Sequence, residues 1–213
     1  MAGDPAGPAV GETIVVEMVE STEPGLSYPL LAEGRPFAVD DLEDMPDDGR
    51  RYELVDGTLI VSAAPAWLHQ RAVMELSFLL RQVCPPGFEV LFAPFDVQLG
   101  PRTQLQPDIL VTESRHFSKR RLYFPPLLAV EVLSDSTQMY DRHTKRRVFE
   151  RAGTPSFWLV EPSARPAEAK IEAWEAGSRR RYRRVASVVG DELFETVKPY
   201  PVAVRPADLV RER

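Results

Sequence analysis

Leu127-Leu-Ala-Val-Glu-Val-Leu133 is the stretch on which the fold turns. Its apolar residues run without alternation, as in a central strand covered on both faces. Ser134-Asp-Ser-Thr137 then offers several helix caps before a helix predicted from about Gln138 to Arg151. Gly153-Thr-Pro155 ends that helix, and Phe157-Trp-Leu-Val160 predicts another strand.

Upstream, Tyr52-Glu-Leu-Val55, Asp56-Gly57 and Thr58-Leu-Ile-Val61 predict a hairpin, because Asp-Gly tolerates the positive φ angles of a tight turn. Phe37 to Met45 predicts a short helix with Asp40 and Asp41 near its amino end. From Ala66 to Val83 the spacing is helical, with Val73, Leu76, Leu80 and Val83 three or four apart, and Pro85-Pro86-Gly87 stops it. Glu89 to Leu99 and Asp108 to Thr112 read as extended runs. Lys170 to Trp174, Arg180 to Ser187 and Glu192 to Thr196 read as short strands. The expected architecture is α/β, two helices on one mixed central sheet. No Gly-rich loop joins a strand to a helix, so no phosphate-cradling nucleotide motif is present. Three segments are expected: a flexible amino-terminal extension over 1–34, one domain over 35–200 and a carboxy-terminal tail over 201–213. The extension contains one β-like run from Thr13 to Val19.

Length and composition suit one domain with a well-buried core. No apolar run reaches the roughly 18 residues of a membrane span, and no signal-peptide pattern opens the chain. Cys84 is the one cysteine, so no internal disulfide forms and a reducing cytoplasm is the expected compartment. Its simplest reading is a small apolar residue. The net charge of −6 is unevenly spread. Residues 1–56 hold 14 acids and 3 bases, whereas 57–213 hold 18 acids and 23 bases. The body is therefore mildly basic and compatible with a polyanionic substrate.

Glu131 is the anomaly in its strand. A lone carboxylate buried there costs several kcal/mol unless paired or bound to a cation. An ion pair with arginine, an exposed edge position or a functional site would each explain it. Asp108, at the mouth of the apolar strand Pro107-Asp-Ile-Leu-Val111, either caps a turn or converges with Glu131 if the strands are neighbours. Converging carboxylates need a cation, and hard oxygen donors suit Mg²⁺ or Mn²⁺. Glu53 is either a third acid or a solvent-facing hairpin residue. Lys145 either serves the site or pairs with Asp141 on a helix surface. His69, near a helix amino end, is a candidate accessory contact. Three histidines and one cysteine are too few for a zinc cage.

Arg51-Tyr-Glu-Leu-Val-Asp-Gly57, His69-Gln70, Gln106-Pro-Asp-Ile-Leu-Val111, Val130-Glu-Val-Leu-Ser134, Tyr140-Asp-Arg142 with Lys145-Arg146, and Phe157-Trp-Leu-Val-Glu-Pro162 stand in this order. Together they resemble the Uma family of putative restriction endonucleases, in the PD-(D/E)XK nuclease superfamily. The resemblance runs from about Phe37 to Pro162 and more loosely to Thr196. It implies a restriction-endonuclease-like core, Asp108 and Glu131 as ligands of Mg²⁺ or Mn²⁺, and Glu53 as an accessory acid. The superfamily lysine stands two residues after the second acid, where this chain has Leu133. The resemblance implies Lys145, from the following helix, as its substitute. DNA is then the expected partner, phosphodiester hydrolysis the expected reaction and a homodimer the expected assembly.

Lys119-Arg-Arg121, Lys145-Arg-Arg147 and Arg179 to Arg184 would follow a phosphate backbone or simply be solvated charge. Two rival functions stay open: a nuclease fold that binds DNA or protein without cutting, and a metal hydrolase of small phosphates.

Overall fold

The computed structural model describes residues 16–17, 35–62, 64–116, 120–134, 141–178 and 180–212. The amino-terminal extension therefore lies outside the described residues apart from β1 (Val16–Glu17). The expected caps at 135–137, the helix start at 138–140, Lys119 and Arg179 also lie outside them.

After a short 3-10 helix (Val39–Asp44) come β2 (Arg51–Val55) and β3 (Thr58–Ser62), the expected hairpin. Both turn residues, Asp56 (φ 50°) and Gly57 (φ 88°), adopt the positive φ that the Asp-Gly pair allows. Helix α1 (Trp67–Gln82) follows, then β4 (Phe88–Phe92), β5 (Asp96–Gly100), β6 (Thr103–Leu105), β7 (Ile109–Glu113), β8 (Arg121–Leu122) and β9 (Leu128–Val132). A π-helical turn (Asp141–Lys145) leads into α2 (Arg146–Ala152). Gly153 ends α2 in the left-handed conformation. Strands β10 (Ser156–Glu161), β11 (Lys170–Ala176), β12 (Tyr182–Val189), β13 (Phe194–Thr196) and β14 (Val202–Val204) complete the sheets.

Among the described residues the chain builds two mixed six-stranded sheets rather than one, and β13 pairs with β14 apart from them. The first has the order β1-β3-β2-β6-β5-β8 and the second β12-β11-β10-β9-β7-β4. The division falls within the run read as continuous from Glu89 to Leu99. Pro94 has no N–H to give a ladder, and β4 ends before it in the second sheet while β5 begins after it in the first.

Strand β9 sits inside the second sheet, antiparallel to β7 and parallel to β10. Val130 and Val132 pack in one cluster with Ala72, Val73, Leu76 and Leu80 of α1. Ala129 and Leu133 pack in another with Phe149 of α2 and with Val55 and Ile60 of the first sheet. The unalternating run is thus covered on both faces. The segment expected as a carboxy-terminal tail contains β14 and a 3-10 turn (Pro206–Leu209), and its Leu209 and Val210 join the α1 cluster. Among the described residues no helix is long and apolar enough to cross a membrane.

Candidate functional site

The antiparallel register of β7 and β9 pairs Ile109 with Val130. Asp108 stands one residue before β7, at the end of that ladder, and its Oδ2 accepts from the Val132 amide next to Glu131. Asp108 and Glu131 are 2% and 1% exposed, which removes the edge-strand reading of Glu131.

Glu53 comes from the facing sheet. Along β2, Tyr52 and Leu54 pack with Phe37 and Val39, while Val55 points into the cluster shared with β9. Glu53 alternates with the first pair and so shares the side of Val55. It is 1% exposed, and the solvent-facing reading of this hairpin position does not hold.

Lys145 joins the acids. Its Nζ lies 3.0 Å from Oε2 of Glu53 and 3.1 Å from Oε2 of Glu131, and the residue is 2% exposed. Burial overturns the surface-helix reading of this lysine. The turn that delivers it is pinned by Arg142, which donates to Oε2 of Glu161 on β10 at 2.6 Å and to Oε2 of Glu172 on β11 at 2.7 Å. Leu133, in the position of the superfamily lysine, packs in the apolar cluster against α2.

A second set of contacts holds Asp108. Arg51 donates to Oδ1 at 2.9 Å, Nε2 of His69 lies 3.2 Å from Oδ2, and the Val132 amide donates to Oδ2 at 2.7 Å. Burial works against the ionised carboxyl, but His69, Arg51 and Lys145 outweigh it and hold its pKa well below the usual carboxylate range. Burial likewise works against the charge on Arg51, and Asp108, Glu53 and Glu131 together raise its pKa above the ordinary value. An ionised carboxylate only accepts, so Nε2 of His69 carries the shared proton. Nδ1 of His69 has no hydrogen-bond partner among the described residues. Glu53 is oriented in turn, because the Gln106 amide donates to its Oε1 at 2.8 Å.

The four expected residues and His69 therefore meet between the two sheets and the start of each helix. Arg51 and the amides of Gln106 and Val132 belong to the site but escaped the sequence reading. Arg51 was within reach of it, since a residue two before Glu53 on a strand shares its face. The backbone donors carry no residue-specific signal.

A cleft of about 340 Å³ opens onto Asp108 and is lined by Arg50, Arg51, His69, Gln70 and Gln106 among others. Glu53, Glu131 and Lys145 are not among its lining residues. The described residues contain no group of three His, Cys, Asp or Glu side chains placed to hold a metal ion. The acids are apportioned instead between Arg51 and Lys145. Asp108 and Glu131 nevertheless fit a hard dication in chemistry, as two neighbouring oxygen donors.

The basic runs are partly engaged elsewhere. Arg121 pairs with Glu43, Arg146 lies over the Trp174 ring, and Arg184 reaches Glu172. Cys84 is half-buried with Sγ directed at the Pro85 and Phe88 carbonyls, in keeping with its structural reading.

The sequence matches the Uma2 family, described as "Putative restriction endonuclease", over residues 39–203. The crystal structure of a putative nuclease belonging to DUF820 from Anabaena variabilis ATCC 29413 superposes with a TM-score of 0.65 at 16% identity, covering 82% of this chain and 98% of that one. At that identity the likeness shows a shared fold. No curated protein matches the sequence.

Proposed function

This chain belongs to the Uma2 family of putative restriction endonucleases, and on that footing we propose that it hydrolyses phosphodiester bonds of DNA with Mg²⁺ or Mn²⁺. Asp108 and Glu131 would hold the cation. When bound, the dication lowers the pKa of a coordinated water and stabilises charge on the scissile phosphate. Arg51, His69 and the Val132 amide keep the Asp108 carboxylate ionised and fixed in direction. Lys145, held by Glu53 and Glu131, would orient the nucleophile or offset developing negative charge. Glu53 acts through Lys145 as the accessory acid. The cleft beside Asp108 admits the phosphate, with Arg50 and Arg51 on its wall.

The observation that carries this reading is that Asp108 is tied to the Val132 amide next to Glu131, while Lys145 reaches Glu131 from the turn before α2. The test is nicking of supercoiled plasmid by purified protein in Mg²⁺ or Mn²⁺. Wild type nicks and Glu131→Ala does not; equal nicking by both sinks the assignment.

One observation favours a second reading, a nuclease fold that binds without cutting. Asp108, Glu53 and Glu131 each already touch an internal cation. Calorimetry of Mn²⁺ binding separates the two. A folded protein that binds no Mn²⁺ in the millimolar range is the non-cutting module.

A further inference from the structure

We propose that the DNA reaches this site as an unpaired strand, with its bases stacked in an aromatic groove between α1 and β4. The proposal rests on the nuclease reading above.

Helix α1 buries Ala72, Val73, Leu76 and Leu80. Its opposite face, by the same periodicity, carries Trp67, Met74 and Phe78, which are 65%, 61% and 52% exposed. Phe92, at the end of edge strand β4, is 61% exposed. Met74, Phe78 and Phe92 line a groove of about 440 Å³ together with Ser77, Arg81 and Val90. An apolar surface of this kind asks for an occupant.

The groove borders the cleft at Asp108. Gln70 and Val73 line both, and the chain passes directly from Phe92 in the groove to Ala93 and Pro94 in the cleft. A ligand with a phosphate beside Asp108 therefore extends into the groove. The lining holds no carboxylate and one guanidinium, Arg81. Oγ of Ser77, buried in the lining, has no hydrogen-bond partner among the described residues. Rings, one cation and a few polar atoms match a nucleobase, whose faces stack and whose edge hydrogen-bonds. A duplex keeps its bases inside its own stack, so only an unpaired strand fills the groove. A second copy of this chain is the rival occupant. It would call for roughly 800 Å² per partner and would leave the adjacency to the cleft without a purpose.

The structure supplies its own probe. Trp158 and Trp174 are 0% and 7% exposed, so Trp67 is the tryptophan that a ligand can quench. Full-length Glu131→Gln protein in Mg²⁺, and wild type in EDTA as a second non-cutting form, would be titrated with oligothymidylate and with a duplex of equal length. Fluorescence and anisotropy would report binding. Oligothymidylate is expected to quench Trp67 and to bind about 10-fold or more tighter than the duplex. Phe78→Ala and Phe92→Ala should each weaken that binding roughly 5- to 100-fold while leaving the unfolding temperature unchanged, because both rings are exposed.

Equal affinity for the two DNAs, or no effect of either substitution, overturns the inference. So does self-association that Phe78→Ala abolishes without any oligothymidylate quenching, which would assign the groove to a second copy. Cleavage of labelled oligothymidylate and of the duplex by wild type in Mg²⁺, run in parallel, keeps the two readings apart. Cleavage of both without preference sinks the groove alone, and quenching without cleavage of either DNA sinks the nuclease.

Discussion

Replacing Lys145 by methionine tests the arrangement at its centre. The substitution keeps the length of the side chain and removes the ammonium that touches both Glu53 and Glu131 at 3.0 and 3.1 Å. Both acids are 1% exposed, so water cannot take over. Breaking a buried ion pair by deleting one partner costs about 3–5 kcal/mol. Here one cation serves two acids, which pushes the cost upward. The Gln106 amide on Glu53 and the nearby charge of Arg51 push it down. A loss of about 4 kcal/mol is the expected outcome, a fall in Tm of roughly 8–16 °C for a chain of this size.

Urea and thermal unfolding followed by circular dichroism would measure it. Lys145→Met/Glu131→Gln should recover a large part of the loss, since it removes one of the two charges as well. If Asp108 and Glu131 bind a dication as proposed, Mg²⁺ at a hundred times its Kd stabilises Lys145→Met by about 2.7 kcal/mol. A loss below about 1 kcal/mol, the value of an exposed pair, would refute the reasoning. So would a double variant no more stable than the single one.

Asp108→Asn should cost about 2–3 kcal/mol at neutral pH through its charged hydrogen bonds. The folded Asp108 carboxyl lies below the unfolded value of about 3.9, so the unfolded chain binds the extra proton and this contribution is complete above that pH and lost as acid titrates the folded group; the gap between wild type and Asp108→Asn in urea midpoints should therefore narrow on acidification below about pH 4. Gly57→Ala should destabilise by about 1–2 kcal/mol in urea unfolding, because Gly57 has φ +88° and an added Cβ would stand 2.7 Å from Cβ of Pro36.

Much of the site was legible because strand periodicity and desolvation act locally. An acid in the midst of Leu127 to Leu133 demands a partner whatever surrounds it. Asp56-Gly57 marks its turn by backbone sterics alone, and Val73, Leu76 and Leu80 mark the buried face of α1 by spacing alone. The readings that the residues left open were those in which one segment must find another. Glu53 is as plausible facing water as facing β9 until the first sheet packs against the second. Lys145 is a surface helix residue until Arg142 ties its turn to Glu161 and Glu172. The split of Glu89 to Leu99 between two sheets depends on where each half finds a ladder.

The sequence by itself determined that Asp108 stands at the mouth of one apolar strand and Glu131 within another, and that leucine occupies the position where the resembled superfamily has its lysine. Such features are properties of order and spacing along one chain. Only the tertiary structure decided how the charges are shared: Lys145 between Glu53 and Glu131, and Arg51 with His69 on Asp108. Coulomb attraction and desolvation depend on separation and burial, and residues as far apart in the chain as Arg51 and Asp108 acquire both only when the two sheets close over them.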